Sequence, residues 1–181
     1  MCKSKRRIIF MEKLKEMINS FSESMTILNQ RGYEKQSLTL FFTYLDQLGW
    51  LTSSTEFSDG SDFCNWIDTY CDLTAVSFTS IDLWNARCAH LHMGAAEHKY
   101  FNSNKHFRLA FYQNISLSDK EISIEEKNYP KSTKLVDTFA LYNCVNNGID
   151  NFLQAIELDA TLKSSVLGKC EKMNDLYILN K

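Results

Sequence analysis

The chain has 181 residues and a formal net charge of −2, and 44% of its residues are hydrophobic. This length suits one domain, residues 1–181, with a sizeable core, and the apolar content excludes a disordered chain. The near-neutral charge excludes broad electrostatic attraction to nucleic acid, so an RNA contact needs a local patch or a site that grips few phosphates. With one proline and six glycines, the chain has few helix breakers, which favours a mostly helical fold.

Two long helices are predicted in the first third of the chain. Apolar residues recur three and four positions apart over about Ile8–Asn29 and again over about Glu34–Leu51, the spacing of one helix face. Residues 1–10 form a basic N-terminal region, and Lys3–Arg7 reads as a frayed arm rather than an RNA-binding element.

Two shorter helices are predicted next, each with a candidate N-cap. Ser61 is suited to cap a helix over Asp62–Cys71, and Thr79 or Ser80 a helix over about Ile81–Met93, because hydroxyl oxygens accept from the free N–H groups of a first helical turn. Gly94 is suited to end the fourth helix.

A small β-hairpin insertion is predicted at about residues 106–126. Apolar and polar residues alternate over His106–Gln113, and Ile122–Ile124 repeats the alternation after a polar turn, which is strand periodicity. Two more helices follow, over about Thr133–Leu158 and Ala160–Leu179. The predicted fold is therefore mainly α, an up-and-down helical bundle with this hairpin inserted.

The predicted compartment is the cytoplasm. The six cysteines are scattered and include no CxxC pair, so reduced cysteines that act as small core residues are favoured over disulfides. The first ten residues lack the apolar stretch of a signal peptide, and no segment is apolar enough to cross a membrane.

The candidate catalytic residues are Arg87 and His92, five positions apart near the end of the fourth predicted helix. Imidazole can move protons near neutral pH, and guanidinium offers a planar fork of donors that matches phosphate oxygens. Together they suffice for metal-free chemistry on a phosphodiester. A second interpretation also fits the spacing: Arg87 covers apolar surface with its stem, and His92 merely caps the helix C-terminus.

Three further residues complete the candidate set as supporting residues: Asp46, Asn85 and Cys88. If the second and fourth helices are neighbours, Asp46 can hold Arg87 or orient His92; otherwise it is a partly exposed acid beside a helix seam. No metal or cofactor is expected. His90 and His92 point about 200° apart on a helix and cannot share one ion, and glycine-rich phosphate loops are absent.

The segment Asp82–His92 resembles the pattern DLYxxRCxxLH found in small bacterial proteins of the HEPN superfamily, named for a nucleotide-binding domain of higher eukaryotes and prokaryotes. Two other stretches, Leu40–Leu51 and Asp62–Ile67, fit the same group. With the long C-terminal helix, the resemblance covers most of residues 36–158.

The resemblance implies a compact helical bundle that forms homodimers, with two Arg-x4–6-His motifs in one cleft. It also implies a metal-independent endoribonuclease, in many members a toxin paired with an antitoxin or part of a defence system. Carried over, His92 would serve as general base or acid while the RNA 2′-hydroxyl attacks phosphorus, and Arg87 would stabilise the transition state. The product would be a 2′,3′-cyclic phosphate, and DNA would not be cut.

Two positions depart from the superfamily pattern. The residue after the motif arginine is usually Asn or Asp in active members and is Cys88 here. Some toxins carry a tyrosine two residues after the histidine, where an antitoxin attaches a nucleotide, and that position is Gly94 here. The superfamily also contains silent members, so the alternative function is a non-catalytic helical module that binds RNA, nucleotide or a protein partner.

Overall fold

The structure, a computed structural model, describes residues 3–74, 76, 78–93, 106–113, 115–130 and 132–173; for 3–10 and 93 it describes the backbone alone. Seven α-helices and two strands lie in these ranges. They are α1 (Lys3–Gln30), α2 (Glu34–Thr52), α3 (Gly60–Tyr70), α4 (Ser80–Met93), β1 (Arg108–Tyr112), α5 (Asp119–Glu125), β2 (Thr133–Asp137), α6 (Thr138–Leu158) and α7 (Ala160–Cys170). The mainly helical fold class is confirmed.

The helices pack around one core. Consecutive helices from α1 to α4 are neighbours, α6 packs against α3, and α7 packs against α1, α2 and α6. α2 lies at the centre and contributes six fully buried large side chains: Phe41, Phe42, Tyr44, Leu45, Leu48 and Leu51. α1 begins at Lys3, so the backbone of the basic segment that was predicted to fray is helical.

The N-terminus of α3 is capped differently from the prediction. Asp59, not Ser61, is the N-cap: its Oδ1 accepts from the backbone N–H of Ser61 at 2.7 Å and of Asp62 at 3.4 Å. Asp62 Oδ2 accepts in return from the N–H of Asp59. A carboxylate can make this reciprocal pairing with the third helical residue, and Gly60 therefore begins the helix.

The N-terminus of α4 is held by Asp82, which is only 2% exposed. Its Oδ2 accepts from the N–H and the hydroxyl of Thr79, both at 2.8 Å, and the Thr79 hydroxyl accepts from the N–H of Asp82. Thr79, one of the two residues predicted to cap this helix, is therefore its N-cap. Asp82 Oδ1 also accepts from the N–H of Phe107 at 2.7 Å, which ties the chain just before β1 to α4.

The predicted hairpin at 106–126 is wrong. β1 lies where alternation predicted a strand, but its partner is β2, in parallel, with Arg108 opposite Thr133 and Tyr112 opposite Asp137. Ile122–Ile124 belongs to α5, because Ser118 and Glu121 form a capping box that starts a helix there. Parallel strands need a crossover, and α5 lies within it.

The predicted start of the long helix, Thr133, is also wrong. Residues 133–137 form β2, and Asp137 caps α6 by accepting from the N–H groups of Phe139 and Ala140. Phe139, in the first turn of α6, is 70% exposed. The last helix ends at Cys170, and residues 171–173 form a turn, so the predicted continuation of the helix is wrong over these three residues. Gly94 and residues 174–179 lie outside the described residues.

No helix in the described ranges is both long and apolar enough to cross a bilayer.

Candidate functional site

Asp46 on α2 and Arg87 on α4 form an ion pair, which is one of the two arrangements that the sequence left open for Asp46. Nε of Arg87 donates to both carboxylate oxygens of Asp46, at 3.1 and 3.0 Å, and Nη2 donates to Oδ2. Asp46 lies one residue after buried Leu45 on α2, and Arg87 lies one residue after buried Ala86 on α4. Both therefore flank buried stripes, and the contact between the two helices brings them together.

The ring of Trp84 packs against the guanidinium of Arg87. The guanidinium carbon lies 4.8 Å from the centre of the Trp84 ring, within cation–π range. Trp84 is itself fixed by Phe63, with ring centres 5.3 Å apart. It also packs over Gly60, where an added Cβ would come within 2.6 Å of the indole. This contact between Trp84 and Arg87 was not predicted from the sequence, although residues three apart share a helix face.

His92 lies on the side of Arg87 that faces away from Asp46. Arg87, Asp46, Trp84 and His92 together are called the Arg87 group below. Arg87 Nη1 lies 3.2 Å from His92 Nε2. Because a guanidinium only donates, Nε2 must accept, and the imidazole in this contact is neutral with its proton on Nδ1. The lone pair that accepts from Arg87 is the one that could take a proton from a substrate.

Asp46 offsets the cost of burying the charge of Arg87. Burial opposes the charge of Arg87, but the hydrogen bonds and negative charge of Asp46 outweigh it, so the pKa of Arg87 is raised above its usual value. The side chain of Arg87 is 16% exposed and that of Asp46 26%, and His92 is exposed. The group therefore reaches solvent, with Nη1 as the donor that Asp46 does not occupy.

The other two supporting residues differ in position. The Cys88 thiol lies 4.0 Å from Arg87 Nη1, at the edge of the group. Asn85 is 2% exposed, and its buried Nδ2 has no partner among the described residues. Two residues before Arg87 on a helix means about 200° of rotation, so Asn85 lies on a different side of α4.

His90 has a separate environment, as its helical position predicted. Its Nε2 lies 2.9 Å from the Thr39 hydroxyl and 3.3 Å from the carbonyl of Lys35. Thr39 donates its own proton to that same carbonyl, so His90 Nε2 is the donor to both oxygens. Burial, opposed in part by the hydrogen bond to Lys35, lowers the pKa of His90. His90 therefore joins α4 to α2 and is not part of the Arg87 group.

No group of three or more His, Cys, Asp or Glu side chains is placed to hold a metal within the ranges that the structure describes. His98, one of the four histidines of the sequence, lies outside them.

Comparison with protein-family models, with curated proteins and with solved structures finds no match for this chain.

Proposed function

We propose that this protein is a metal-independent endoribonuclease of HEPN type, in which Arg87 and His92 act on an RNA phosphodiester in the cytoplasm. The observation that supports the proposal is the 3.2 Å contact between Arg87 Nη1 and His92 Nε2 on an accessible surface, with the rest of the guanidinium held by Asp46. All five described cysteines are free thiols, in keeping with a reducing compartment.

The chemistry follows from the two side chains. A bound phosphate would take a donor of Arg87 Nη1, which frees Nε2 of His92 to accept the proton of the adjacent 2′-hydroxyl. The 2′-oxygen then attacks phosphorus, the bond from phosphorus to the 5′-oxygen breaks, and the 5′-oxygen takes a proton from water while Arg87 stabilises the added charge. His92 afterwards returns its proton to solvent. The products are a 2′,3′-cyclic phosphate and a 5′-hydroxyl. Asp46 would be a positioning residue, because it holds the guanidinium and does not reach the reacting atoms.

The first prediction is that purified protein cleaves single-stranded RNA in EDTA and that Arg87→Ala and His92→Ala each abolish cleavage. Loss of one proton-transfer group typically costs about 10²–10⁴-fold. The measurement is the cleavage rate of a labelled oligoribonucleotide, with the cyclic phosphate identified by mass spectrometry. An oligonucleotide with 2′-deoxyribose at the cleaved position should stay intact.

A second function is favoured by a specific observation, namely that Asp46 and Trp84 occupy most of the guanidinium. On this view Arg87 is a structural ion pair in a non-catalytic module that binds RNA, nucleotide or a protein. Asp46→Asn separates the two. In a nuclease it lowers the cleavage rate of a folded protein, whereas in a silent module it lowers thermal stability alone. Residual cleavage that is equal in wild type and both alanine variants would reject the nuclease.

A further inference from the structure

Two cysteines from distant parts of the chain lie where the end of α3 packs against α6. Cys71 is the C-cap of α3, and Cys144 lies in the first half of α6. Both are free thiols, and both are partly exposed to solvent. Neither belongs to the Arg87 group, so the proposed cleavage chemistry does not use them.

Hydrogen bonds hold the backbone on both sides of Cys71 against one face of α6. The Cys144 thiol donates to the carbonyl of Asp72 at 3.4 Å, and Nδ2 of Asn151 donates to the carbonyl of Tyr70 at 2.9 Å. Residues seven apart lie on the same face of a helix. Cys71 is therefore held between two contacts on the face of α6 that carries Cys144.

Gly148 leaves room for the sulfur of Cys71 on that face. It lies one helical turn after Cys144, and an added Cβ there would come within 2.6 Å of Cys71 Sγ. Glycine weakens a helix interior relative to alanine, but at this position a residue without a side chain is what lets the sulfur approach. The Cys71 sulfur therefore lies on α6 within one turn of Cys144.

The two thiols also interact directly. Burial raises the pKa of Cys144, and a hydrogen bond with the Cys71 thiol opposes that rise. Burial raises the pKa of Cys71 too, and there the neighbouring Cys144 adds to the rise. Cys144 is therefore the thiol that loses its proton more readily, and the thiolate is the form that attacks a disulfide.

From this geometry we propose that Cys71 and Cys144 are a redox-responsive pair, which closes to an intramolecular disulfide with a small disulfide, such as glutathione disulfide, as the oxidant. In a reducing compartment the pair stays as two thiols, and disulfides that form there are usually transient and respond to oxidants. The bond would fasten the point at which the chain leaves α3 to the middle of the bundle, through α6.

The reaction has two exchange steps. Cys144 gives its proton to solvent, its thiolate attacks one sulfur of glutathione disulfide, and the released glutathione takes up a proton. Cys71 then gives up its proton, attacks the Cys144 sulfur of the mixed disulfide and expels the second glutathione, which is protonated in turn. Two protein thiols are oxidised to one disulfide, and one glutathione disulfide is reduced to two thiols.

The test equilibrates the reduced, full-length protein for hours in buffers with rising ratios of glutathione disulfide to glutathione, because exchange at buried thiols is slow. Free thiols are then alkylated, and digestion without reductant is followed by mass spectrometry. We expect a peptide pair that joins Cys71 to Cys144, in a protein that has lost two hydrogen atoms and gained no glutathione. Because the bond closes a long loop, the oxidised protein should melt about 5 °C or more above the reduced one.

Cysteine variants test the order of the steps and the choice of the pair. Cys71→Ser should keep glutathione on Cys144, because no second thiol expels it, whereas Cys144→Ser should form no internal disulfide at Cys71. The matched control Cys64→Ser removes another partly exposed thiol, in α3, and should form the bond between Cys71 and Cys144 as wild type does. Circular dichroism checks that each variant is folded.

The proposal is overturned if folded wild type yields no peptide that joins Cys71 to Cys144 at any ratio. It is equally overturned if wild type, like Cys71→Ser, stops with glutathione on Cys144, or if the disulfide joins two copies of the chain. None of these results bears on RNA cleavage, which is measured with Arg87→Ala and His92→Ala.

Discussion

The Arg87–Asp46 pair lies between the two regimes in which ion pairs are usually discussed. Exposed pairs contribute about 0–1 kcal/mol, while breaking a fully buried pair costs about 3–5 kcal/mol because a charge is left without a partner. With 16% and 26% of the two side chains exposed, the cost of Asp46→Asn should fall between these values. The pair therefore contributes to the stability of the fold and also fixes the position of the guanidinium.

His90 gives a pH-dependent prediction. Burial lowers its pKa, so as the pH falls below about 6.5, the usual value for histidine, the unfolded chain takes up a proton before the native protein does. The native state then loses stability. We expect the free energy of unfolding, measured in urea between pH 7.5 and 5.5, to fall less steeply in His90→Gln than in wild type.

The comparison with His90→Gln cancels the other histidines, since they are present in both proteins. Glutamine keeps a donor for the Thr39 hydroxyl and the Lys35 carbonyl but does not titrate. Parallel pH profiles for the two proteins would contradict the assignment of the slope to His90.

Part of the candidate site could be predicted from single residues. Arg87, His92 and Asp46 flank apolar stripes, and helix periodicity places such residues at the edges of a packed seam. Periodicity does not give rotamers, so it could not show that Asp46 takes two donors of the guanidinium and leaves Nη1 to His92. Nor could it show that Asn85, two positions from Arg87, is buried with an amide nitrogen that has no partner in the described part of the chain.

At the scale of elements, α2 and α3 approach so closely that Gly49 has no room for a side chain. A Cβ there would lie 3.0 Å from both the backbone N and the Cα of Phe63. We expect Gly49→Ala to destabilise the protein by about 1–3 kcal/mol, because overpacking against backbone forces the helices apart. Urea denaturation measures this loss.

Gly168 is the matched control for that substitution. It lies in α7, is exposed, and an added Cβ would meet no atom within 4 Å. Gly168→Ala should therefore stabilise the protein by up to about 1 kcal/mol, the difference in helix propensity. If both substitutions stabilise, the contact between α2 and α3 is looser than described.

Elements with sustained periodicity were predictable, and the short ones were not. The bounds of α2 and α4 differ by one residue from the prediction. A long apolar stripe defines α2, which has no side-chain cap, and the pairing of Thr79 with Asp82 defines the start of α4. Ile122–Ile124 offers too few residues to separate a strand from a helix, and the Ser118–Glu121 capping box decides for the helix. The predicted long helix wrongly included the residues of β2, because periodicity alone could not detect that Asp137 caps α6.

At the scale of the whole molecule, one chain supplies one Arg87–His92 pair, whereas the HEPN resemblance implies two in a shared cleft. We therefore expect a homodimer at tens of micromolar, with twice the chain mass of 21.0 kDa in light scattering. Mixing Arg87→Ala with His92→Ala should then restore part of the RNA cleavage if the cleft uses one residue from each copy. A monomer at that concentration would argue against the shared cleft.

The C-terminal end of α2 is capped by a side chain from more than a hundred residues later in the chain. The ammonium of Lys169, in α7, donates to the carbonyls of Trp50 and of Ser53, the latter at 2.6 Å, where a helix leaves carbonyls without partners. Because this contact comes from α7, it cannot form before residue 169 has been synthesised and α7 has packed against α2. If the protein cuts RNA as proposed, the helix that carries Asp46 is therefore fully packed only after residue 169 has been made.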